Sequence, residues 1–329
     1  MRRFERRAFM ARVTTANNLP KRKEHRGFSP AARREAAIFY LTVSPWVLGF
    51  LLFTIIPMAI SLYLSFTQWA FVKAPVWIGL DNFVYMFTKD PDFYQSLKVT
   101  LLFTVTSVPL QIIVALLLAV LLNEATRAVG FFRTAFYIPS IVASVASAVL
   151  WTWIFNPRFG PINGLLRSIG MYGPNWFSDP KYALPALVIM SAWGVGGQML
   201  IFLAGLKGIP RSLYEAAEVD GANRIRRFVS ITLPMLSPTI FFNLIMAMIG
   251  AFQTFDSAYV ISTAHAGQIG QPQNSTLFYL LHLYQEGFSN FNMGYASALA
   301  WVLFIIILTV TLIINRSSKS WVFYSGEGD

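Results

Sequence analysis

The sequence is poor in charged residues and contains no cysteine. Only 12% of its 329 residues are charged and 55% are hydrophobic, whereas soluble domains carry about 25% charged residues. Because so little charge cannot cover the surface of a water-soluble protein, the composition predicts a membrane protein. The lack of cysteine excludes disulfides, thiolate metal sites, iron–sulfur clusters and a cysteine nucleophile.

Motifs for metal binding and catalysis are also missing. The three histidines, His25, His265 and His282, lack the spacing of a metal-binding pair, and we expect them to be surface or interfacial residues. The sequence contains neither a GxxxxGK[ST] nucleotide-binding loop nor a GxSxG nucleophile motif. A membrane enzyme would need convergent acid–base groups, and only scattered carboxylates are seen. We therefore expect no catalytic residue, cofactor or metal in this chain.

Long charge-free windows predict six membrane helices. A hydrocarbon core of about 30 Å is crossed by about 20 helical residues, and each window is long enough. The predicted helices are at about 37–66, 99–122, 134–155, 182–206, 231–254 and 295–315. A further charge-free stretch, 257–285, is rich in glutamine and glycine and has only a short apolar part. That part, within 275–286, is interpreted as an interfacial helix or as part of an outer docking surface.

The positions of lysine and arginine predict the orientation of the chain. The protein has 26 of these residues, and most of them lie before the first helix, between helices 2 and 3, between helices 4 and 5, and after helix 6. The positive-inside rule then places both termini and the loop between helices 4 and 5 in the cytoplasm. Residues 1–35 form a basic tail that would lie against anionic headgroups, with a nucleic-acid arm as the weaker alternative. The transmembrane domain is 36–315, and 316–329 is a cytoplasmic tail.

The cytoplasmic segment 210–230 predicts a short helix outside the membrane. Pro210 ends the preceding helix, and Ser212 with Glu215 has the spacing of a capping box. Gly221 follows and suits a left-handed residue that ends the helix. A small rigid helix beyond the membrane is a suitable docking element for a partner.

The residues of this segment resemble a known family. Glu215-Ala216-Ala217, Gly221 and Ile231-x-Leu233-Pro234 match the EAA motif of binding-protein-dependent ABC importer permeases. Further segments look like the MalF-type, carbohydrate-transporting branch of that family: Ile78–Phe83, Gly130–Thr134, Phe159–Asn163 and Gly294–Ala298. Only the first 35 residues fall outside the resemblance.

The resemblance implies an all-α membrane protein with six transmembrane helices, the type I ABC importer permease (MetI-like) fold, and both termini in the cytoplasm. It also implies that the EAA segment is a coupling helix seated in a separate ATPase subunit. The candidate coupling residues are Ser212, Tyr214, Glu215, Ala216, Ala217, Asp220 and Gly221. The alternative is that Glu215 only caps the helix and Gly221 only ends it.

The resemblance implies an assembly in the inner or plasma membrane of a bacterium or archaeon. Its partners would be a second, usually non-identical permease, two ATP-binding cassette subunits and an extracytoplasmic solute-binding protein. ATP and Mg would be bound by the cassette subunits and not by this chain. A carbohydrate substrate and membrane lipid complete the expected contacts, and no nucleic acid is expected.

Polar residues within helices 4 and 5 are candidates for the substrate pathway, because polar groups at bilayer depth usually face the bundle interior. They are Gln198, Asn243, Gln253 and Thr254, and the resemblance to MalF-type permeases adds Trp193 and Gly194. Helix packing is the alternative for these residues, as it is for Gly196 and Gly197. Ser140, Ser144 and Ala148 are interpreted as a packing seam. Asp256 is either an outer gate or an exposed loop residue.

The predicted function is the permease subunit of an ABC sugar importer that works by alternating access. Because the predicted helices contain no lysine, arginine, aspartate or glutamate, a neutral ligand suits them best. The alternatives are an ion-coupled secondary transporter of a small polar solute and an importer of glycerol phosphate or another anionic carbohydrate. An ion-coupled mechanism normally relies on an ionisable group within the membrane.

Overall fold

The computed structural model describes residues 30–71, 73–124 and 128–323, and most of these are helical. Two compact units, Met1–Ala59 and Ile60–Asp329, make up the chain. The prediction for the basic tail lies outside the described residues, except that a helix begins at Pro30. The described part of the first unit consists of the helix Pro30–Phe50, the π-helical turn Leu51–Ile55 and the beginning of the helix Ile56–Leu64, with no buried residue in any of the three.

The second unit begins with a small hairpin and continues with helices. Strands Thr67–Gln68 and Val76–Trp77 pair antiparallel, and the helix Asp81–Thr88 follows. Shorter elements connect the long helices: Pro161–Ser168, Arg211–Val219, Arg224–Arg227, Tyr279–Tyr284 and the π-helical turns Phe228–Thr232 and Gln285–Ser289.

Four helical segments in the described residues are long and apolar enough to cross a membrane, and six if each of two bent helix pairs counts as one span. They are span 1 (Pro30–Leu64), span 2 (Pro91–Glu124), span 3 (Val129–Ile141 with Ser144–Ile154), span 4 (Pro180–Gly194 with Gly196–Lys207), span 5 (Arg224–Thr263) and span 6 (Met293–Ser318). Six agrees with the number predicted from the charge-free windows.

Span 3 differs from its prediction because it is not one helix. Its halves meet at an angle of 102°, since Val142 and Ala143 both have extended backbone that no helix can continue through. The predicted packing seam is therefore wrong: Ser140 lies before the break and Ser144 after it. Span 4 bends by a smaller 48° at a 3₁₀ turn, Ala192–Gly194.

Contacts between the ends of the spans indicate that span 3 crosses the membrane despite its bend. Arg224, the first residue of span 5, lies 3.7 Å from Glu124, the last residue of span 2, so an even number of crossings must separate them. If span 3 returned to its own side, span 4 alone would separate the two residues by a membrane of about 30 Å. In the same way, the side chain of Asn274 donates to the carboxylate of Asp92 at 2.9 Å. Spans 2 to 5 lie between these two residues along the chain, which is again an even number.

The two sides of the bundle follow from these contacts. The backbone amide of Phe323, after span 6, donates to Ser237 near the start of span 5 at 2.8 Å. Residues around Asp92 and Asn274 therefore share one side, which we call the outer side, and the segment 208–223 lies on the other with Phe323.

Small residues allow spans 2, 4 and 5 to pack closely beside one another. Ala115 and Ala119 on span 2 are fully buried, as are Met199 and Phe202 on span 4 and Leu236 on span 5. Close approach of backbones at small residues is typical of membrane helices, where packing replaces the hydrophobic effect. These three spans form the frame of the cavity described below.

Candidate substrate cavity and coupling segment

A cavity of about 310 Å³ lies between spans 2, 4 and 5. Its lining is apolar on one part and carries amides and hydroxyls on another, without a charged side chain. The polar lining residues are Gln111, Ser191, Gln198, Thr254 and Ser257, and the apolar ones are Phe103, Leu187, Met190, Met246, Ala247, Gly250 and Ala251.

Two facing amides in this cavity are incompletely hydrogen-bonded. Gln198 Nε2 donates to Gln111 Oε1 at 3.5 Å, which is long for a hydrogen bond. Gln198 Oε1 is buried and has no partner in the described part of the chain. Since an unpaired buried acceptor costs about 1–3 kcal/mol, a ligand hydroxyl that donates to this oxygen would recover that energy.

The structure places the remaining candidates of span 4 differently from one another. Trp193 packs edge-on against Trp151, with ring centroids 6.0 Å apart, and does not line the cavity. Gly194 is exposed in the bend. A Cβ on Gly196 would lie 2.5 Å from the carbonyl oxygen of Phe136, so this glycine permits close packing of spans 3 and 4.

The candidates of span 5 are also dispersed. Thr254 lines the cavity. Asn243 is buried, but its Nδ2 donates to the carbonyl of Thr239 in its own helix at 3.0 Å. Gln253 is exposed at the end of the helix and lies outside the cavity lining. Gln198 and Thr254 are thus the predicted residues that the fold brings together, and Gln111, Ser191 and Ser257 join them.

Asp256 begins the second helical part of span 5, Asp256–Ala266, after the break at 253–255. Its carboxylate accepts a hydrogen bond of 2.5 Å from Ser144, the first residue after the break in span 3. The helices Ser144–Ile154 and Asp256–Ala266 pack against each other. This hydrogen bond joins the broken points of two spans, immediately beside the cavity residues Thr254 and Ser257.

The candidate coupling segment, 210–230, contains the helix Arg211–Val219, which begins without a side-chain cap. The predicted capping box is wrong, because Pro210 is the N-cap residue and Ser212 lies inside the helix. The prediction for Gly221 is confirmed: its φ is +72°, in the left-handed region that favours glycine. The amide of Ala222 donates back to the carbonyl of Ala217 at 2.9 Å, which closes the helix end.

This helix presents an uncovered surface and is tied to the bundle by two side chains, Tyr214 and Glu218. Glu218 accepts a hydrogen bond of 3.4 Å from Arg227 in span 5. Tyr214 is half-buried, and its hydroxyl is 2.9 Å from that of Thr232 at the start of span 5. Glu215 is exposed, and Val219 is 88% exposed. The uncovered surface of the helix therefore carries both a charged and an apolar side chain.

The sequence reasoning missed a buried polar cluster on the outer side. His282 Nε2 donates to Asp90 Oδ2 at 2.8 Å, and the Tyr295 hydroxyl donates to the same oxygen. The expectation that His282 is a surface or interfacial residue is wrong, since only 2% of it is exposed. The interfacial reading of 275–286 is wrong for the same reason, because Tyr279 and Leu281 are fully buried.

The environment of Asp90 keeps its carboxylate ionised. Burial raises the pKa of this carboxyl group. The hydrogen bond from Tyr295, the charge of His282 and the hydrogen bond from His282 all lower it. Together they outweigh burial and leave the pKa below its ordinary value. Asp90 also accepts from the amides of Asp92 and Phe93 at 2.9 and 3.2 Å, as an N-cap of span 2. An aspartate just before Pro91, together with a lone histidine in an apolar run, was the available sequence signal.

Comparison with known proteins identifies the family. Residues 99–321 match the model of the binding-protein-dependent transport system inner membrane component. The probable ABC transporter permease protein YesP of Bacillus subtilis (strain 168) is 49% identical over 301 residues, which cover 91% of this chain and 96% of that protein. The arabinooligosaccharides transport system permease protein AraP of the same organism is 32% identical over 317 residues, covering 95% and 98%.

A solved structure agrees with the fold. The bacterial alginate ABC transporter, in complex with its alginate pentasaccharide-bound periplasmic protein, contains a chain that superposes with a TM-score of 0.74 at 25% identity, covering 87% of this chain and 95% of that one. The fold and the EAA motif agree with these matches. The chain is a multi-pass membrane protein that belongs to the family of binding-protein-dependent transport system inner membrane components, the permease subunits of ABC importers.

Proposed function

We propose that this permease moves a neutral oligosaccharide from a solute-binding protein, through the cavity between spans 2, 4 and 5, into the cytoplasm. The observation that carries the proposal is the cavity lining, which offers amides and hydroxyls and no charged side chain. Amides donate to and accept from hydroxyl groups, which matches the chemistry of a neutral sugar. An anionic carbohydrate would enter such a cavity without a cation to offset its desolvation.

The test is uptake into proteoliposomes that contain the complete transporter, its solute-binding protein and internal ATP. A neutral arabino- or malto-oligosaccharide should accumulate, and an oligosaccharide of uronic acids of equal length should not. Uptake of the anionic sugar alone would overturn the assignment of a neutral substrate. Uptake driven by an ion gradient without the ATPase subunits would instead favour a secondary transporter.

The coupling helix supplies the link to ATP hydrolysis in this proposal. Two ATP-binding cassette subunits, one on this chain and one on a second permease, hold ATP and Mg. Ser212, Glu215, Ala216 and Asp220 would contact the cassette subunit from the exposed surface of the helix, while Tyr214 and Ala217 would hold the helix against its surroundings. Gly221 would set the direction in which the chain leaves the end of this helix.

Substitution of Gly221 tests this coupling role. A Cβ at position 221 meets no atom within 4 Å, so Gly221→Ala adds only the backbone strain of a positive φ, about 1 kcal/mol. Gly221→Asp adds a charge at the contact surface as well. We expect Gly221→Asp to reduce co-purification of the ATPase subunit more than Gly221→Ala, with both variants present in the membrane. Equal co-purification of wild-type and Gly221→Asp protein would contradict the coupling role.

The hydrogen bond between Ser144 and Asp256 is proposed as an outer gate of the cavity. It joins the breaks in spans 3 and 5 beside the cavity, and in this proposal the contact separates when the cavity opens outward. Because the chain has no cysteine, the double variant Ser144→Cys, Asp256→Cys introduces the only thiols. Cross-linking these thiols should stop transport and a reductant should restore it, whereas the single variants should not respond. Full transport by the cross-linked protein would show that the contact does not gate.

A further inference from the structure

A second cavity, of about 420 Å³, lies on the outer side and shares no lining residue with the first. It is bounded by the hairpin, the helix Asp81–Thr88, the turn Gln285–Ser289 and the beginning of span 6. Its lining residues, which together we call the outer notch, are Gln68, Trp69, Ala70, Ile78, Asp81, Asn82, Tyr85, Glu286, Asn292 and Tyr295.

The walls of the outer notch are fixed by specific contacts. Asn82 is buried, and its Nδ2 donates to the carbonyls of Ser65 and Thr67 at 2.9 and 3.0 Å. Gly294 lies so close to the hairpin that a Cβ on it would be 2.0 Å from the carbonyl oxygen of Thr67. The hairpin is thereby held against span 6, and the notch is a preformed site.

Two carboxylates, those of Asp81 and Glu286, line the outer notch. Among the described residues, neither Asp81 nor Glu286 has a lysine or arginine within ion-pair distance. Glu286 is held in place by hydrogen bonds from Asn290 and Asn292 at 2.9 and 3.0 Å. The carboxylate of Asp81 accepts no hydrogen bond from the described part of the chain, so it is free to bind a partner.

Aromatic rings stand beside these carboxylates. Tyr85 and Tyr295 pack edge to face with centroids 5.2 Å apart, and Trp69 completes this part of the lining. The combination of carboxylate and aromatic faces binds guanidinium and ammonium groups, by charge-assisted hydrogen bonds and by cation–π attraction. A sugar would use the amides and rings, but the two unpaired negative charges favour a cation.

The position of the outer notch indicates where that cation comes from. The notch is built from the segments before span 2 and before span 6, on the side opposite the coupling helix. In the proposed function this is the side at which the solute-binding protein arrives. We propose that the outer notch receives an arginine or lysine side chain of the solute-binding protein and so anchors it on this permease. This inference rests on the proposed function, and it names the chemistry of one contact with that partner.

The test uses the solute-binding protein that co-purifies with the wild-type transporter. Its binding to the wild-type transporter is compared with its binding to two variants of Asp81. Asp81→Asn removes one notch charge at a side chain without an internal partner, and Asp81→Glu keeps the charge. In the assembled transporter, Asp81→Asn should raise the Kd for the solute-binding protein about fivefold to tenfold at low salt, with a smaller effect at high salt. Asp81→Glu should bind more tightly than Asp81→Asn. The maximal rate of stimulated ATP hydrolysis should not change.

Asp179→Asn is the matched control. Asp179 precedes span 4, and its side chain caps that helix by accepting from the amide of Lys181 at 2.9 Å. Asparagine caps as well as aspartate, so this variant removes one acidic charge without unfolding the helix start. It should leave the Kd unchanged.

Three results would overturn the inference. The first is an unchanged Kd for the solute-binding protein in Asp81→Asn. The second is an equal increase of this Kd in the control Asp179→Asn. The third is an unchanged Kd in Asp81→Asn together with weaker binding of free oligosaccharide, which would make the notch a sugar site. Failure of the proposed function looks different, because then the wild-type transporter itself would show no solute-binding protein that stimulates its ATP hydrolysis.

Discussion

Two groups of polar side chains lie inside this protein, and they differ in how completely they are hydrogen-bonded. In the cluster of Asp90, His282 and Tyr295, one carboxylate accepts from both side chains and from two backbone amides. In the cavity, Gln198 and Gln111 meet at 3.5 Å and Gln198 Oε1 has no partner among the described residues. The first group is satisfied by the chain itself, and the second is not.

This difference separates a structural role from a binding role. A buried polar group without a partner costs free energy, so a fold retains it only where something else offsets the cost. The Asp90 cluster needs nothing further and connects the start of span 2 with span 6 and the helix between spans 5 and 6. The amides of the cavity have unused donors and acceptors, which a hydroxylated ligand can use.

The largest effect expected from this comparison is on stability. Asp90→Ala leaves the donors of His282 and Tyr295 buried without an acceptor, and each stranded group costs about 1–3 kcal/mol. We expect a large fall in the thermal unfolding midpoint of the detergent-purified complex and a reduced yield in the membrane. Asp90→Asn, which retains an acceptor and the N-cap, should lose much less. Equal thermal unfolding midpoints for Asp90→Ala and the wild type would show that the cluster does not stabilise the fold.

Removing a polar side chain from the cavity should lower transport and not stability, in contrast to Asp90→Ala. Gln198→Leu removes the unpaired oxygen, so stability should be unchanged or slightly raised, while transport falls about tenfold through the loss of roughly 1.4 kcal/mol of ligand hydrogen bonding. Stimulated ATP hydrolysis should survive in part. Gln253→Leu is the matched control, because Gln253 is exposed and outside the cavity lining. Uptake at the wild-type rate by Gln198→Leu would show that Gln198 is not part of the substrate pathway.

Sequence reasoning could predict the parts of the molecule that depend on local pattern. The spans follow from runs of uncharged residues, and Gly221 follows from the need for a positive φ after a short helix. The EAA motif can be recognised because its positions lie within 20 residues, from Glu215 to Pro234. In each case the residues that carry the signal are close together along the chain.

The remaining features depend on contacts that no local pattern contains. His282 and Asp90 are separated by 192 residues, and Gln198 and Gln111 by 87. The break in span 3 follows from the extended backbone at Val142 and Ala143, two residues that fit a helix by composition. Polarity and position in a helix, the signals available for the polar candidates, do not distinguish Gln198, which faces the cavity, from Gln253, which does not.

A smaller effect should come from the cavity hydroxyl of Thr254. Its Oγ1 is 3.4 Å from the carbonyl of Gly250, a weak bond that leaves the hydroxyl available to a ligand. Thr254→Val keeps the shape of the side chain and removes one hydrogen bond of about 0.5–1 kcal/mol, so transport should fall about twofold to fivefold. Initial uptake rates at subsaturating sugar measure this. Thr263→Val, whose hydroxyl bonds to its own helix and does not line the cavity, should transport normally.

The smallest effect near neutral pH should come from the titration of Asp90. Because its pKa lies below the ordinary value of 3.8, the unfolded chain binds the proton more readily than the folded protein does, so this carboxylate stabilises the fold above that value. Its contribution is constant at neutral pH and is lost as the pH falls through the lowered pKa. The difference in thermal midpoint between wild type and Asp90→Asn should therefore be flat from about pH 5 to 7 and shrink below about pH 4. A difference that already changes between about pH 6 and 7 would mean that another group, and not the Asp90 carboxylate, titrates in the cluster.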